Sequence, residues 1–333
     1  MLNLNQLRTF YQVAKSLNFS IAAENLFVSQ PAVTKQIKSF EAFCNLKLFR
    51  KKRAKVYLTD EGKKIFVYAS RIFELERQLE ETISGLQNLK RGSLRIGTTK
   101  TYARYFMPVL FTPFQKIFPD IIIELDEGSS LDMSNSLLDF KNSLAIVAKV
   151  EENPDIQFIP LLLEEVVLIA APAYHLVKGD TIRFRDLNEE PIIMKEIGSG
   201  TRDLVERYAR REKISLNVIA QTSNMEFIKQ LVKQEQAVSF VVRSSVETEI
   251  SQGQLISVPI KPKKMFLKIF IAHLRDYDLP FAAKSFLDYL LSLTYPKNLP
   301  VGVDPFVKKI AAIGKEKGLA DFSPPFTSRT IFS

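Results

Sequence analysis

Residues 7–65 read LRTFYQVAKSLNFSIAAENLFVSQPAVTKQIKSFEAFCNLKLFRKKRAKVYLTDEGKKI, and this stretch decides the fold of the N-terminal part of the chain. From Leu4, just before this stretch, apolar residues recur at three- and four-residue steps, a spacing that predicts an amphipathic helix: Leu4, Leu7, Phe10, Val13, Ala14 and Leu17. Ser20 is predicted to cap a second, short helix over 21–27, and Val28 to form the turn that follows it.

A third helix is predicted to begin after Ser29, because Ser favours the N-cap and Pro31 suits the first helical turn. Its apolar residues Val33, Ile37 and Phe40 form an inward face. The outward face near its start carries polar residues: Gln30, Thr34, Lys35 and Lys38. Two short helices and a tight turn are typical of a helix-turn-helix, whose second helix enters the DNA major groove. A plain helical hairpin with a polar face remains the alternative on spacing alone.

Positive charge is concentrated in the first 60 residues, which hold seven lysines and three arginines against Glu24, Glu41 and Asp60. The whole chain of 333 residues carries a formal charge of +9, so most of the excess lies in this segment. The densest cluster, residues 50–55, reads RKKRAK. Such a run is suited to phosphates, although a solvated surface turn has the same composition.

The same stretch resembles the N-terminal signature of LysR-type transcriptional regulators almost position for position. The matching elements are Leu7, Phe10, Phe19-Ser20, Ala22-Ala23, Ser29-Gln30-Pro31-Ala32-Val33, Ile37, Glu41, Leu48-Phe49, Leu58-Thr59 and Gly62. The resemblance implies a winged helix-turn-helix in which residues 49–59 form the wing. The implied contacts to double-stranded promoter DNA come from Ser29, Gln30, Pro31, Thr34, Lys35, Lys38, Arg50, Lys51, Lys52, Arg53 and Lys55.

Three residues depart from the family pattern. Asn45 stands where the family usually has Gly, and Asn is the next best residue for a left-handed helix C-cap. Thr34 replaces a common Ser and keeps the hydroxyl, and Lys51 replaces a common Arg. We therefore expect the fold to persist.

Residues 61–90 are predicted to form a long linker helix. Its apolar residues follow a mostly heptad spacing: Ile65, Ala69, Ile72, Leu75, Leu79, Ile83 and Leu86. The opposite face is predicted to be charged through Glu74, Glu76, Arg77, Glu80 and Glu81. An amphipathic helix packed on its own domain is one explanation. A partner helix from a second chain is favoured because so long a helix has little globular core beside it, and the resemblance implies a dimer, with a tetramer as the full assembly.

From residue 91 onward, strand and helix patterns alternate, which predicts an α/β architecture with parallel sheets. Strands are predicted at 94–97, 121–125, 144–147, 166–170 and 191–194, with helices over about 105–118 and 202–212. By resemblance, residues 91–295 form a two-lobed effector-binding domain similar to periplasmic solute-binding proteins. Lobe one is placed at 92–162 plus 268–295, and lobe two at 163–267.

Two strand-to-helix turns are candidate binding segments for one small anionic effector, since helix N-termini and hydroxyls supply hydrogen-bond donors. They contribute Thr98, Thr99, Lys100 and Thr101 in one lobe, and Ser199, Thr201 and Arg202 in the other. Ser129 is a further candidate, although routine helix capping explains such residues equally well. Residues 98–105, TTKTYARY, also resemble the branch of the family that regulates sulfur assimilation, which senses small polar anions.

The sequence offers no catalytic or metal-binding constellation, because His175 and His273 lie far apart and Cys44 is the one cysteine. No cofactor is implied. The N-terminus lacks a secretory layout and no apolar run reaches the length of a membrane span, so a cytoplasmic protein is expected. An enzyme and a solute-binding protein without DNA-linked function are the alternatives. RNA polymerase is left as a further candidate partner, and residues 296–333 are an extension of unassigned role, packed or loosely ordered.

Overall fold

The computed structural model describes residues 1–52, 55–87, 92–178, 181–261, 264–294 and 299–316. The chain divides into two compact units, Met1–Leu89 and Lys90–Ser333. No helix among these described residues is long and apolar enough to cross a membrane.

The first unit holds four helices and a two-stranded hairpin. In chain order they are α1 (Leu4–Ser16), α2 (Phe19–Asn25), α3 (Gln30–Cys44), β1 (Phe49–Lys52), β2 (Lys55–Leu58) and α4 (Asp60–Gln87). The apolar stripes of the helices meet in one core, where Phe10, Val33 and Leu48 are fully buried. Helix α3 ends at Asn45, which adopts the expected left-handed conformation at φ 52°.

The predicted start of α2 is wrong by two residues. Asn18 caps the helix, since its side-chain oxygen accepts hydrogen bonds from the amides of Ser20 and Ile21. Ser20 is therefore inside the first turn and caps nothing. Asn is as good an N-cap as Ser, so two candidate caps separated by one residue could not be ranked from the sequence.

Helix α4 is packed over its first part and exposed over its second. Ile65 and Ala69 lie against the core of the first unit, whereas Leu79 is 60% exposed. Packing on its own domain therefore explains the first half of the stripe, and the partner helix from a second chain stays a prediction for the exposed second half. Glu74 departs from the prediction: it is buried and bonded to Arg77, with 2.9 Å from Arg77 Nε to Glu74 Oε2.

The second unit is built on a mixed sheet with helices on both sides. In chain order, its first elements are β3 (Gly92–Thr99), α5 (Lys100–Tyr105), α6 (Met107–Ile117), β4 (Ile121–Gly128), α7 (Ser130–Leu138) and β5 (Leu144–Ala148). They are followed by β6 (Ile156–Ala170), β7 (Ile182–Arg183), β8 (Pro191–Lys195), α8 (Gly200–Glu212), β9 (Asn217–Thr222), α9 (Met225–Lys233), β10 (Val238–Val242), α10 (Glu247–Ser251), β11 (Ile256–Val258), β12 (Ile260–Lys261), β13 (Met265–Leu274), α11 (Phe281–Leu293) and α12 (Asp304–Glu316).

Within the described residues the main sheet has nine strands in the order β4-β3-β5-β13-β6-β10-β8-β9, with β11 paired to β6. Pairing is parallel for β3 with β4 and β5, and for β8 with β9 and β10, in line with the predicted parallel sheets. The pairs β5 with β13 and β10 with β6 are antiparallel. The long strands β6 and β13 pair antiparallel to each other and run from one lobe into the other. The predicted lobe boundaries at 162/163 and 267/268 fall inside these two crossing strands.

The helix predicted over about 105–118 is α6, and a separate short helix, α5, precedes it because the chain turns at Phe106. Pro108 stands in the first turn of α6, where a backbone N–H has no partner within the helix and its absence costs nothing. In a helix that continued through residue 106, Pro108 would remove one backbone hydrogen bond. Residue 106 is consequently buried against the core of lobe one.

The described part of the C-terminal extension packs on lobe one. Leu163 of β6 exchanges two backbone hydrogen bonds with the extension, at 2.9 Å to the Pro300 carbonyl and 2.8 Å from the Gly302 amide. Phe306 of α12 is fully buried, and its ring meets Phe106 edge to face at 5.4 Å. Of the two expectations for the tail, packing therefore holds for residues 299–316.

Candidate DNA-binding surface and candidate effector pocket

The outward face of α3 forms a shallow polar surface at the start of the helix. Its lining residues are Gln30, Pro31, Thr34, Lys35, Lys38, Ser39 and Ala42. Lys35 and Lys38 are exposed, and Gln30 Nε2 donates to Thr34 Oγ1 at 2.9 Å. The hydroxyl of Ser29 makes no capping hydrogen bond, so it is available to a phosphate or a base. Sequence reasoning missed Ser39, whose position one turn after Lys35 continues the same face.

The wing is the hairpin of β1 and β2, in which Arg50 lies opposite Tyr57, and Lys52 opposite Lys55. Arg50, Lys52 and Lys55 are exposed, as cations that contact phosphates must be. Lys51 belongs to β1, and Arg53 lies outside the described residues.

Glu41 joins the wing to the end of α3. Its carboxylate accepts hydrogen bonds from the amides of Leu48 at 2.8 Å and Phe49 at 3.3 Å, and from Lys47 Nζ at 3.0 Å. Burial by itself raises the pKa of Glu41, but these donors outweigh burial and leave the pKa below its usual value. The family-like Glu is thus a positioning residue that fixes where the basic strand starts.

Gly62 explains another element of the matching pattern. A Cβ at this position would lie 2.3 Å from the Leu48 carbonyl oxygen, so α4 can pack beside the wing only with glycine here. Thr59 supports the same junction by donating to the Lys47 carbonyl at 2.7 Å and accepting from the Gly62 amide at 3.0 Å.

The candidate effector pocket lies between the lobes of the second unit. The predicted residues Thr99, Lys100 and Thr101 line it from lobe one, and Ser199 and Thr201 line it from lobe two. The two predicted segments, about a hundred residues apart in sequence, therefore face the same space. Thr99 caps α5, accepting from the Tyr102 amide at 3.4 Å.

Three predicted residues do not line this pocket. Thr98 is fully buried and donates to the Ile146 carbonyl at 2.8 Å, since it shares the inward face of β3 with Leu94 and Ile96. The Ser129 hydroxyl is used within a capping box, at 2.7 Å from Asp132 Oδ2, and its neighbour Ser130 lines the pocket instead.

Arg202 is the third. Its guanidinium is turned along α8 to Glu206 Oε1 at 2.7 Å and across to Gln221 Oε1 at 2.8 Å. The position of Arg202 at the start of a helix suggested a cation free to bind a ligand. Glu206, one turn later on the same face of α8, binds the guanidinium instead.

Lys195 is the principal pocket residue that sequence reasoning missed. It is 8% exposed and donates to the Ser223 carbonyl at 3.0 Å, while Lys100 reaches across from lobe one to Ser223 Oγ at 3.1 Å. Burial lowers the pKa of Lys195, Glu196 at 3.6 Å opposes that shift, and the charge of Lys100 adds to it. Its position, the first polar residue after the buried strand 191–194, was a signal that could have found it.

Two buried polar side chains belong to the pocket floor, the face of the sheet on which Leu267 and Val242 line the pocket. Tyr102, 4% exposed, lines the pocket, and Glu164, 2% exposed, lies opposite Leu267 on that face without lining the pocket. Burial raises the pKa of Glu164 to about 7, against the opposing effect of a hydrogen bond from Ser244. Burial and the charge of Glu164 also raise the pKa of Tyr102, which keeps the phenol protonated.

The lobes touch closely beside the pocket. A Cβ on Gly200 would lie 2.2 Å from Ala148 Cβ, and the Leu131 amide donates to the Gly198 carbonyl at 3.1 Å. The space in which a water-sized molecule can be centred is only about 30 Å³, whereas pockets for drug-sized ligands measure roughly 300–1,000 Å³. An effector larger than a few atoms therefore requires the lobes to open.

No group of three His, Cys, Asp or Glu side chains suited to a metal occurs in the part of the chain that the structure describes. His175, one of the two histidines, lies 2.7 Å from Glu190 in a turn, which accounts for it structurally.

A winged helix-turn-helix followed by a long helix and a two-lobed α/β domain defines a DNA-binding regulator with a ligand-responsive domain. Two family models match the chain accordingly. Residues 4–63 match the bacterial regulatory helix-turn-helix protein, lysR family, and residues 87–294 match the LysR substrate binding domain. The chain belongs to the LysR family of bacterial transcriptional regulators.

Three known proteins illustrate the similarity. The HTH-type transcriptional activator CmpR of Synechocystis is 32% identical over 289 residues, covering 87% of this chain and 95% of CmpR. The regulatory domain of CcmR from Synechocystis PCC6803, solved in complex with 2-PG, is 27% identical with a TM-score of 0.58, over 63% of this chain and 100% of that domain. Full-length CbnR, solved with its target DNA, shares the fold at 20% identity and a TM-score of 0.62, covering 87% of this chain and 99% of CbnR. The similar proteins are regulators and not enzymes.

Proposed function

We propose that this regulator responds to a small anion held between Lys100 of lobe one and Lys195 of lobe two. The observation that carries the proposal is the meeting of these two ammonium groups at Ser223, one on its hydroxyl and one on its carbonyl. One of the two cations is almost fully buried. Lys100 is exposed, and its charge still disfavours the buried charge of Lys195. An anion between the two relieves both this repulsion and the cost of burying Lys195.

The neighbouring groups also suit an anion. The first amides of α8 have no partner within their own helix, and the Ser199 hydroxyl makes no capping bond there. Thr99, Thr101 and Thr201 add hydroxyl donors around the same space. Glu196 offsets one of the two cations, so the pocket favours a small anion with few charges. That the related CcmR domain was solved with 2-PG supports this chemistry.

Effector control then follows from the geometry of the lobes. An anion that contacts Lys100 and Lys195 together favours one lobe separation over others, and it shifts the equilibrium by its difference in affinity for them. In an assembly of several chains, the changed lobe angle alters the spacing of the DNA-binding units.

Isothermal titration of the full-length protein with inorganic phosphate, sulfate and 2-PG tests the effector site. Lys195→Met should weaken binding of the best of these anions by about ten- to a hundredfold, as expected for a lost hydrogen bond to a charged group. Lys284→Met, an exposed lysine on α11, is the matched control and should bind as the wild type does. Equal affinities of the Lys195 variant and the wild type would remove the pocket from the mechanism.

For DNA, the proposal assigns base reading to Gln30, Thr34, Lys35 and Lys38 on α3. Phosphate contacts are assigned to Ser29, Arg50, Lys51, Lys52, Arg53 and Lys55, with Pro31 shaping the helix start. Exposure of the α3 face and of the described wing cations supports the assignment. Cations of the wing provide affinity without sequence information, whereas side chains at the start of α3 provide specificity.

Fluorescence anisotropy on the duplex upstream of the protein's own gene, titrated with salt, separates the two roles. Arg50→Ala should lower affinity for specific and random duplexes alike and reduce the salt slope by about one. Gln30→Ala should lower affinity for the specific duplex only. Lys15→Ala, an exposed lysine on α1, serves as control. A wing variant with an unchanged salt slope would contradict the phosphate assignment.

The assembly proposed for the cytoplasm is a dimer formed through α4, with two dimers associating into a tetramer on promoter DNA. The exposed apolar residues of α4 support the dimer. RNA polymerase is a further proposed partner, on the ground that related proteins are activators of transcription.

A further inference from the structure

We propose that the anion bound in this pocket carries a hydroxyl group, which accepts a hydrogen bond from Tyr102 and donates one to Glu164. This inference rests on the proposed anion site and specifies an uncharged group that the bound anion carries. The class of effector is then a hydroxylated carboxylate or a hydroxylated phosphate ester, rather than a bare inorganic anion.

The position of Glu164 is fixed by the register of the crossing strands. Glu164 of β6 lies directly opposite Leu267 of β13, so the two side chains stand on the same face of the sheet. Val166, two residues along β6, is on that face as well and lies opposite Val242 of β10. Leu267 and Val242 both line the pocket. Glu164 is therefore on the sheet face that forms the pocket floor, although its own side chain is not among the lining residues.

Tyr102 and Glu164 each hold one polar side-chain atom without a partner in the described part of the chain, although Glu164 also takes part in a hydrogen bond with Ser244. Among the described residues, neither the Tyr102 hydroxyl nor Glu164 Oε1 has a hydrogen bond, although both atoms are buried. Buried polar atoms without partners are rare in folded proteins, because each forfeits its hydration without compensation. Two such atoms belong to this pocket floor, and the charge of Glu164 acts on the Tyr102 hydroxyl. We infer that one ligand group forms hydrogen bonds with both.

The chemistry of the two atoms selects that group. The protonated phenol of Tyr102 donates, and the free oxygen of Glu164 accepts, so the ligand group has to be acceptor and donor at once. A hydroxyl meets this requirement on a single atom, whereas a carbonyl oxygen accepts only and an ammonium donates only. An ordered water has the same capacity as a hydroxyl, which makes water the competing occupant of the floor.

Titration of the full-length protein with matched anions that differ by one hydroxyl tests the proposal. The pairs are glycolate against acetate, and 2-hydroxyethyl phosphate against ethyl phosphate. In at least one pair the hydroxylated member should bind about tenfold more tightly, the effect of satisfying one buried polar group. Tyr102→Phe and Glu164→Met should each bring that ratio close to one, and the ratio is the readout because the loss of the Glu164 charge affects both members of a pair alike.

Tyr289→Phe is the matched control, because Tyr289 on α11 also holds a buried hydroxyl without a partner among the described residues, outside the pocket lining. It should keep the wild-type ratio. Equal affinities within both pairs, or a ratio that persists in Tyr102→Phe, would overturn the proposal and leave water on the floor.

The effector proposal is judged separately, by the dependence of phosphate, sulfate and 2-PG binding on Lys195. Anion binding that requires Lys195 but ignores the hydroxyl would contradict this inference alone. An absence of binding by every anion would overturn both.

Discussion

The carboxyl of Glu164 is buried, and burial strongly disfavours its charged form. Burial raises its pKa to about 7, against an ordinary value of about 4.3. The unfolded chain therefore loses its proton at lower pH than the folded protein, so stability falls as the pH rises from about 4 to 7. Glu164→Gln removes this penalty. We expect it to raise the free energy of unfolding by about 3 kcal/mol at pH 8, with no gain near pH 4, as measured by urea unfolding.

The adjacent Glu165 is the matched control with the opposite sign. Burial raises its pKa, but Lys264 at 2.9 Å and Arg243 at 2.6 Å outweigh burial and lower it. Its ion pairs stabilise the fold above the ordinary carboxyl pKa and are lost as the pH falls. Glu165→Gln should thus destabilise the protein at pH 8 and approach the wild type in acid. Parallel pH profiles for the two variants would refute the assigned environments.

At the scale of the element, the position of the wing depends on a carboxylate of the neighbouring helix α3. Glu41 on α3 holds the first amides of β1, and its pKa is lowered by those donors. Glu41→Gln keeps the size but loses the charge, so the wing should be less well placed and DNA affinity should fall about tenfold. The deficit should be smallest in acid, where the wild-type carboxylate is itself protonated. Anisotropy with a random duplex measures the effect.

A control for this prediction is Lys47→Met, which removes the exposed cation from the same carboxylate but leaves both amide hydrogen bonds in place. It should change DNA affinity much less than Glu41→Gln. Loss of affinity in the lysine variant alone would show that Lys47 contacts DNA itself and that the Glu41 clamp is unimportant.

Elements were predictable where their signals are local. The periodicity of α1 and α3 and the capping positions Ser29 and Asn45 follow from neighbouring residues, whereas the hairpin of the wing was implied by the family resemblance. The pocket was only half predictable. Thr99 and Ser199 follow strands and start helices, which a sequence displays, whereas Tyr102 and Lys195 meet only because β3 and β8 end at the same crevice. Thr98 was misplaced because the alternation Leu94, Ile96, Thr98 was not applied to it.

At the scale of the whole molecule, we expect the exposed half of α4 to mediate self-association of the chain. Leu75, Leu79 and Ile83 remain exposed on this helix, and burying a leucine contributes about 2 kcal/mol. Leu79→Glu combined with Ile83→Glu should weaken self-association by at least about a hundredfold. Sedimentation velocity without DNA measures this directly.

Ile21→Glu, at an exposed apolar residue of α2, is the control for charge alone and should leave the oligomer intact. A double variant that sediments like the wild type would show that α4 is not the dimer contact. DNA affinity should fall together with self-association in the α4 variant, since binding to two half-sites requires two DNA-binding units.

The extension after residue 294 bears on how the effector-binding half is prepared for study. The family model stops at residue 294, yet Pro300 and Gly302 hydrogen-bond to Leu163 and Phe306 fills the interior next to Phe106. A recombinant fragment cut at the family border would expose the apolar wall behind the α5–α6 turn and leave the β6 backbone open to water. Ligand screens on the isolated half should therefore use a fragment that runs at least to residue 316.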